Sequence, residues 1–309
     1  MKLAFVYAGQ GSQVVGMGQS FYQEFETAKR FYDQIECKID IKKLSFEGPI
    51  EALSQTQNTQ PCMVANAIVV TDLLKASGIE PTMTCGLSLG EYSALYAANV
   101  FDQKTVLDII TIRGQAMSEA VAGMRSKMVA IIGAKREDIE ATVKKYQEPG
   151  VVEVANYNCP GQIVIGGTVD AVDQVVEALK ELGVKRAIPL NTSGPFHTSL
   201  LKPASLALAK AFETIQFNEP TIPVVFNTTA STLKENQTIA SLLEKQVMTS
   251  VYFEDSIKYM LEQGIDTIVE IGPGKVLSGF IKKIDKTIKV YQIEDATSLN
   301  ETIVALKGE

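Results

Sequence analysis

The chain has 309 residues, 46% of them hydrophobic and 21% charged, which excludes a mainly disordered protein and lets a chain this long bury roughly 75% of its unfolded surface. A net charge of -7 from 29 basic and 36 acidic residues offers no polycationic face to a nucleic-acid backbone, so no nucleic-acid partner is expected. The cysteines Cys37, Cys62, Cys85 and Cys159 are far apart with no CxxC pair, and His197 is the single histidine, so no metal site is expected.

The amino terminus, MKLAFVYAGQGSQ, carries one lysine and an apolar run that breaks at Gly9. That run is too short for a signal-peptide core and reads as a buried first strand over 3–7. No apolar run approaches the roughly 20 residues that cross a bilayer, so no membrane association is expected and the protein is placed in the cytoplasm. The chain then reads as helical to about Cys37, a loop through Gly48-Pro49, a helix from Pro61 to Ser77 and a short strand over 82–85. Helices over 91–98 and 103–121 follow. A unit of different rhythm comes next, with strand 127–132, helix 136–147, strands 151–155 and 162–165, helix 169–182 and strand 185–189; this β-α-β-β-α-β order is the ferredoxin-like signature. The first rhythm resumes with helix 200–214, strand 224–226, helices 241–246 and 253–263, strand 267–270, a Gly272-Pro273-Gly274 turn and a further helix. The alternation predicts an α/β protein: a parallel-sheet body over 1–123 and 191–309, interrupted by a ferredoxin-like subdomain over 124–190.

Gly86-Leu87-Ser88-Leu89-Gly90 matches GxSxG straight after the 82–85 strand and before a helix. A tight strand-to-helix turn with small residues two positions either side leaves the serine Oγ exposed near the positive end of the helix. Taken alone, the motif also describes a plain connection whose serine caps the helix. A serine nucleophile needs a base, and His197 is the only imidazole available. It lies in the turn-rich loop Thr192-Ser193-Gly194-Pro195-Phe196-His197 after a strand, where the alternative is local packing. No carboxylate stands out to orient the ring, which leaves an amide side chain or a backbone carbonyl for that task.

Gly9-Gln10-Gly11-Ser12-Gln13 fails as a dinucleotide fingerprint because Val14 replaces the third glycine, and no Lys-Ser/Thr completes a phosphate loop. It remains a candidate oxyanion hole, with the N–H of Gln10 paired to that of Leu89, or a structural turn. Arg113 stands on a largely apolar helix beside Ile109, Ile110, Ile112 and Met117. It is either a solvated rim residue or a fork for a planar anion, and the helix by itself favours the rim.

Taken in order, Gly9-Gln10-Gly11-Ser12-Gln13, Gln57-x-Thr59-Gln60-Pro61, Gly86-x-Ser88-Leu89-Gly90-Glu91-Tyr92-Ser93, Arg113-Gly114, Asn156-x-Asn158-x-Pro160-Gly161-Gln162, His197 with Leu201-Lys202-Pro203-Ala204, and Glu270-x-Gly272-Pro273-Gly274-Lys275-Val276-Leu277 resemble the malonyl-CoA:acyl carrier protein transacylases of bacterial fatty-acid synthesis. They span almost the whole chain. The resemblance implies a hydrolase-like body with a ferredoxin-like insertion and a ping-pong transfer through malonyl-Ser88, from malonyl-CoA to an acyl carrier protein, with no cofactor. It makes His197 the base and later the acid, gives Gln10 and Leu89 the oxyanion N–H groups, has Arg113 hold the malonyl carboxylate, and has Gln246 orient His197 through its backbone carbonyl. Gln60, Asn156 and Gln162 are implied in substrate binding, the last two near the cleft mouth. Phe196 is implied to crowd the acyl α-carbon and favour malonyl over methylmalonyl. The chain departs from the family pattern with Leu87 where histidine is usual and Ala8 where proline is usual. The rival readings are a carboxylate-selective serine hydrolase or polyketide-pathway acyltransferase of the same fold, and a catalytically silent carrier-docking module. For an acidic carrier, Lys185, Arg186, Lys275, Lys282 and Lys283 are candidate contacts.

Overall fold

The computed structural model describes residues 1–148 and 150–308. In chain order β1 (Leu3–Tyr7) leads through α1 (Gln19–Glu24), α2 (Glu26–Gln34), α3 (Ile41–Glu47), α4 (Ile50–Leu53) and the long α5 (Thr56–Ala76) to β2 (Met83–Gly86), followed by α6 (Gly90–Ala97) and α7 (Gln103–Ala120). A second unit contains β3 (Ser126–Ile132), α8 (Arg136–Lys145), β4 (Val152–Cys159), β5 (Gln162–Thr168), α9 (Val169–Glu181) and β6 (Arg186–Pro189). After a short 3-10 turn come α10 (Lys202–Phe212), β7 (Val224–Val225), α11 (Ile239–Gln246), β8 (Val251–Tyr252), α12 (Phe253–Glu262), β9 (Thr267–Ile271), α13 (Val276–Ile284), β10 (Lys289–Ile293) and α14 (Ala296–Lys307).

The first sheet has the order β10-β9-β1-β2-β7 and is parallel throughout. All five residues of β1 are buried, as befits the central strand of a sheet covered on both faces. Alternate residues divide between two cores: Leu3, Phe5 and Tyr7 join the large cluster with α5 and α7, whereas Ala4 and Val6 join Cys85, Ile257, Ile268 and Ile281 on the other face. Parallel strands bring all their carboxyl ends to one edge. The loops after Tyr7, Gly86, Val225 and Ile271 therefore converge there.

The second sheet has the order β6-β3-β5-β4-β8. Its first four strands are antiparallel and carry α8 and α9 over a separate core that includes Ile131, Ile165, Val172 and Val175. This is the ferredoxin-like arrangement. The α/β class, the hydrolase-like parallel body and the ferredoxin-like subdomain all hold. The fifth strand is an addition: Val251–Tyr252, from beyond the inserted segment, pairs in parallel with Asn156–Tyr157 of β4.

Several elements differ from their predicted bounds. The helix expected to begin at Pro61 begins at Thr56 and carries Pro61 inside it; its first turns bury Thr56, Thr59 and Gln60, polar side chains that an apolar period does not register. The expected loop through Gly48-Pro49 is flanked by α3 and α4. Among the described residues, no helix is long and apolar enough to cross a membrane.

Candidate active site

The turn after β2 is set by two close approaches. A Cβ on Gly86 would stand 2.0 Å from the carbonyl carbon of Gly90, and one on Gly90 would stand 2.2 Å from the Tyr7 oxygen. Only glycine fits at either position. Between them Ser88 adopts φ +52°, the left-handed region that L-residues avoid. The Leu87 N–H donates to the Tyr7 carbonyl at 3.0 Å, which ties the turn to the end of β1. Leu87 itself is half-buried against the second core face, so the residue before Ser88 makes an apolar packing contact.

His197 also has positive φ, +62°, and its N–H donates to the Val247 carbonyl at 3.0 Å. That holds the ring against the end of α11. Nδ1 meets the Gln246 carbonyl oxygen at 2.8 Å; a carbonyl only accepts, so Nδ1 carries the proton and Nε2 presents its lone pair. Nε2 lies 2.7 Å from Ser88 Oγ, within reach for proton transfer. Burial, reinforced by the positive charge of Arg113, pushes the His197 pKa down to about 4. The ring is therefore neutral at pH 7.

Arg113 is 1% exposed, which corrects the rim position its helix suggested: α7 turns this residue inward, against α6. Its Nη2 donates to Ser88 Oγ at 3.1 Å and to Gln246 Oε1 at 3.0 Å, and the guanidinium carbon lies 5.3 Å from the centre of the Tyr92 ring. Its Nε is buried without an acceptor. Among the described residues, no carboxylate lies within 4.0 Å of it. The nearby Glu91 is fully buried, and burial pushes its carboxyl up to about 8, so at neutral pH it is protonated and leaves the arginine charge standing. The site thus holds a neutral base, a hydroxyl and a desolvated cation.

The other candidates fall into two groups. Gln10 Nε2 donates to Thr56 Oγ1 at 2.9 Å, Thr56 Oγ1 is 2.9 Å from Ser193 Oγ, and Gln60 Nε2 reaches Gln10 Oε1 at 3.4 Å. Gln10 and Gln60 thus share one polar chain on the α5 side of the cleft. Among the described residues, the N–H groups of Gln10 and Leu89 donate to no protein acceptor, and that of Leu89 is at the start of α6. Phe196, beside His197, is buried in the large core. Asn156 on β4 and Gln162 at the start of β5 stand in the second sheet, opposite Val251 and Ile132 respectively; among the described residues, the side-chain partners of Ser88 are Asn227, His197, Arg113 and Gln246, and neither Asn156 nor Gln162 is one of them.

Sequence reasoning missed Asn227, whose side chain accepts the Ser88 N–H at 2.7 Å. It also passed over the side chain of Gln246, which donates to the Ser88 carbonyl at 2.9 Å as well as accepting from Arg113. Asn227 lies two residues beyond a two-residue strand, and the Asn227-Thr228-Thr229 triplet it opens reads only as a chance glycosylation match, so no sequence signal pointed it toward Ser88.

A serine on a strained strand-to-helix turn, with a neutral histidine held by a backbone carbonyl, is the arrangement found in enzymes that use a serine nucleophile. The sequence of the chain matches the acyl transferase domain family over residues 4–304. The malonyl CoA-acyl carrier protein transacylase of Bacillus subtilis (strain 168) is 41% identical, over 100% of this chain and 98% of that protein. The crystal structure of malonyl CoA-acyl carrier protein transacylase from Clostridium perfringens superposes with a TM-score of 0.96 at 39% identity, over 100% of this chain and 98% of that one. A malonyl-transacylase solved in complex with its type II PKS acyl-carrier protein matches at TM-score 0.94 and 35% identity, over 100% of both chains. The chain belongs to the acyl transferase family and, within it, to the malonyl CoA-acyl carrier protein transacylases.

Proposed function

We propose that this protein transfers malonyl from coenzyme A to the phosphopantetheine thiol of an acyl carrier protein, in the cytoplasm, as part of fatty-acid synthesis. The observation that carries this reading is Arg113: a buried cation beside the Ser88 hydroxyl, with a spare Nε donor and no carboxylate partner among the described residues. A desolvated guanidinium is costly unless an anion meets it, and its planar fork fits a carboxylate.

In the first half-reaction His197 Nε2 takes the Ser88 proton as Oγ attacks the thioester carbonyl, and the Gln10 and Leu89 N–H groups receive the oxyanion. Collapse breaks the C–S bond, His197 returns its proton to the departing coenzyme A sulfur, and malonyl remains as an ester on Ser88. In the second half, His197 deprotonates the carrier thiol, which attacks that ester; the C–O bond breaks and the proton returns to Ser88 Oγ. Gln246 holds the imidazole throughout, as its carbonyl contact with Nδ1 supports. Gln60, Asn156 and Gln162 are assigned to contacts with the substrate outside the reacting atoms. Phe196 next to His197 is assigned to excluding an α-methyl group. We take 1–123 and 191–309 as the catalytic body and 124–190 as the inserted subdomain.

The test is the substrate preference of Arg113→Ala. It should lose about 100-fold in kcat/KM for malonyl-CoA, the worth of two charge-assisted hydrogen bonds, while acetyl-CoA turnover stays level or rises. An equal loss on both substrates would sink the reading.

A further inference from the structure

We propose that Asn227 is a positioning residue whose side-chain amide stands in for a peptide unit and holds Ser88 in its left-handed conformation. In the β2–β7 ladder Thr84 pairs with Val224 and Cys85 with Val225, and the Thr84 N–H donates to the Pro223 carbonyl at 3.0 Å. In a parallel ladder a bonded residue donates to the residue before its partner and accepts from the residue after it, and the pattern repeats every second residue. Carried forward, it would have Gly86 O accept from the Asn227 backbone N–H, and Ser88 N–H donate to the Asn227 backbone carbonyl.

Neither bond forms, and both backbone groups of Asn227 are directed to other partners. Its N–H donates to Glu91 Oε2 at 2.5 Å, and its carbonyl accepts from the Tyr252 N–H at 2.9 Å. The side chain supplies both missing bonds. Nδ2 donates to Gly86 O at 2.7 Å and Oδ1 accepts from the Ser88 N–H at 2.7 Å. Gln246 Nε2 closes the bracket on the Ser88 carbonyl at 2.9 Å.

The substitution has a geometric consequence. A backbone partner would draw Ser88 into an extended conformation, in line with β2. An amide at the end of a side chain satisfies the same polar groups from farther away, so the chain can leave the sheet at Ser88 with no buried donor or acceptor unpaired. Asn227 is fully buried and anchored to α6 through Glu91 and to β8 through Tyr252, so the bracket is rigid. It touches no reacting atom and acts through Ser88. An aspartate of the same shape, when ionised, could accept from Ser88 but not donate to Gly86.

The inference rests on Ser88 being the nucleophile of the proposed transfer. Its test follows Ser88 labelling by an alkyl fluorophosphonate, in which Oγ attacks phosphorus, fluoride leaves and His197 takes the proton, alongside kcat and KM with malonyl-CoA. Asn227→Asp should label about tenfold more slowly and Asn227→Leu about 100-fold, as expected for a displaced nucleophile, with KM within about twofold. Ile257→Val, a core change away from the turn, should melt lower and label at the wild-type rate. If Asn227→Leu does not fold, Asn227→Asp decides. A folded Asn227→Asp protein labelling at the wild-type rate would overturn the proposal, as would a Ser88 amide that exchanges with solvent no faster in the variant. Because the probe carries no malonyl, wild-type labelling without malonyl transfer would sink the functional reading and leave this one standing.

Discussion

Ser88 and His197 both take left-handed backbone conformations and meet across a 2.7 Å contact. Each departure from ordinary φ is held by neighbours, Ser88 by side chains from Asn227 and Gln246 and His197 by the Val247 carbonyl. The buried imidazole titrates near 4 rather than at its ordinary 6.5, and this has two measurable outcomes. The acid limb of kcat/KM should fall near pH 4, leaving activity level from pH 7 to about 5. Between the two values the unfolded chain binds the proton and the folded one does not, so His197 contributes a loss of stability as pH drops through this window, about 3 kcal/mol in all, against the reverse slope of the buried Glu91 carboxyl, pushed up to about 8. Denaturant titrations of the wild type and His197→Gln across pH 4–7 share the Glu91 contribution, so the difference between the two profiles should carry the His197 slope; parallel profiles would contradict the assignment.

At the scale of elements, the Gly86–Gly90 turn is where sequence and packing agree most closely. A Gly90→Ala chain must move the Tyr7 carbonyl, which its Cβ would approach to 2.2 Å. Overpacking of that kind costs about 1–3 kcal/mol, and the displaced Ser88 should acylate at least about tenfold more slowly; wild-type melting and acylation would refute the close approach. The turn was legible because glycine spacing, a preceding strand and a following helix all lie within ten residues. The single histidine was legible by elimination. By contrast, β8 is two residues long and pairs with a strand some 95 positions earlier, and β10 has four of its five residues partly or fully exposed. Neither leaves a hydrophobic period. The inward turn of Arg113 was hidden too, since its polar partners are Ser88, in the turn before α6, and Gln246, in α11, both distant in sequence.

For the whole molecule, the joint between body and subdomain lies close to the chemistry. Nη1 of Arg136 in α8 donates to both carboxylate oxygens of Asp255 in α12 at 3.2 and 2.9 Å, and the guanidinium carbon lies 3.9 Å from the centre of the Tyr157 ring. Tyr157 in turn stacks on Tyr252 with ring centres 4.9 Å apart. Tyr252 lies six residues after Gln246, whose carbonyl holds His197, so the subdomain is fastened next to the segment that aims the base. Parallel strands bring Gln10, Ser88 and Asn227 to one edge, and α7 and α11 add Arg113 and Gln246.

The most direct measurement is intact-protein mass spectrometry of the chain mixed with malonyl-CoA, with Ser88→Ala alongside and an acyl carrier protein added afterwards. The account predicts a malonyl adduct on the wild type, none on Ser88→Ala, and discharge of the adduct onto the carrier thiol. No adduct, or one lost to water faster than to the carrier, would contradict it.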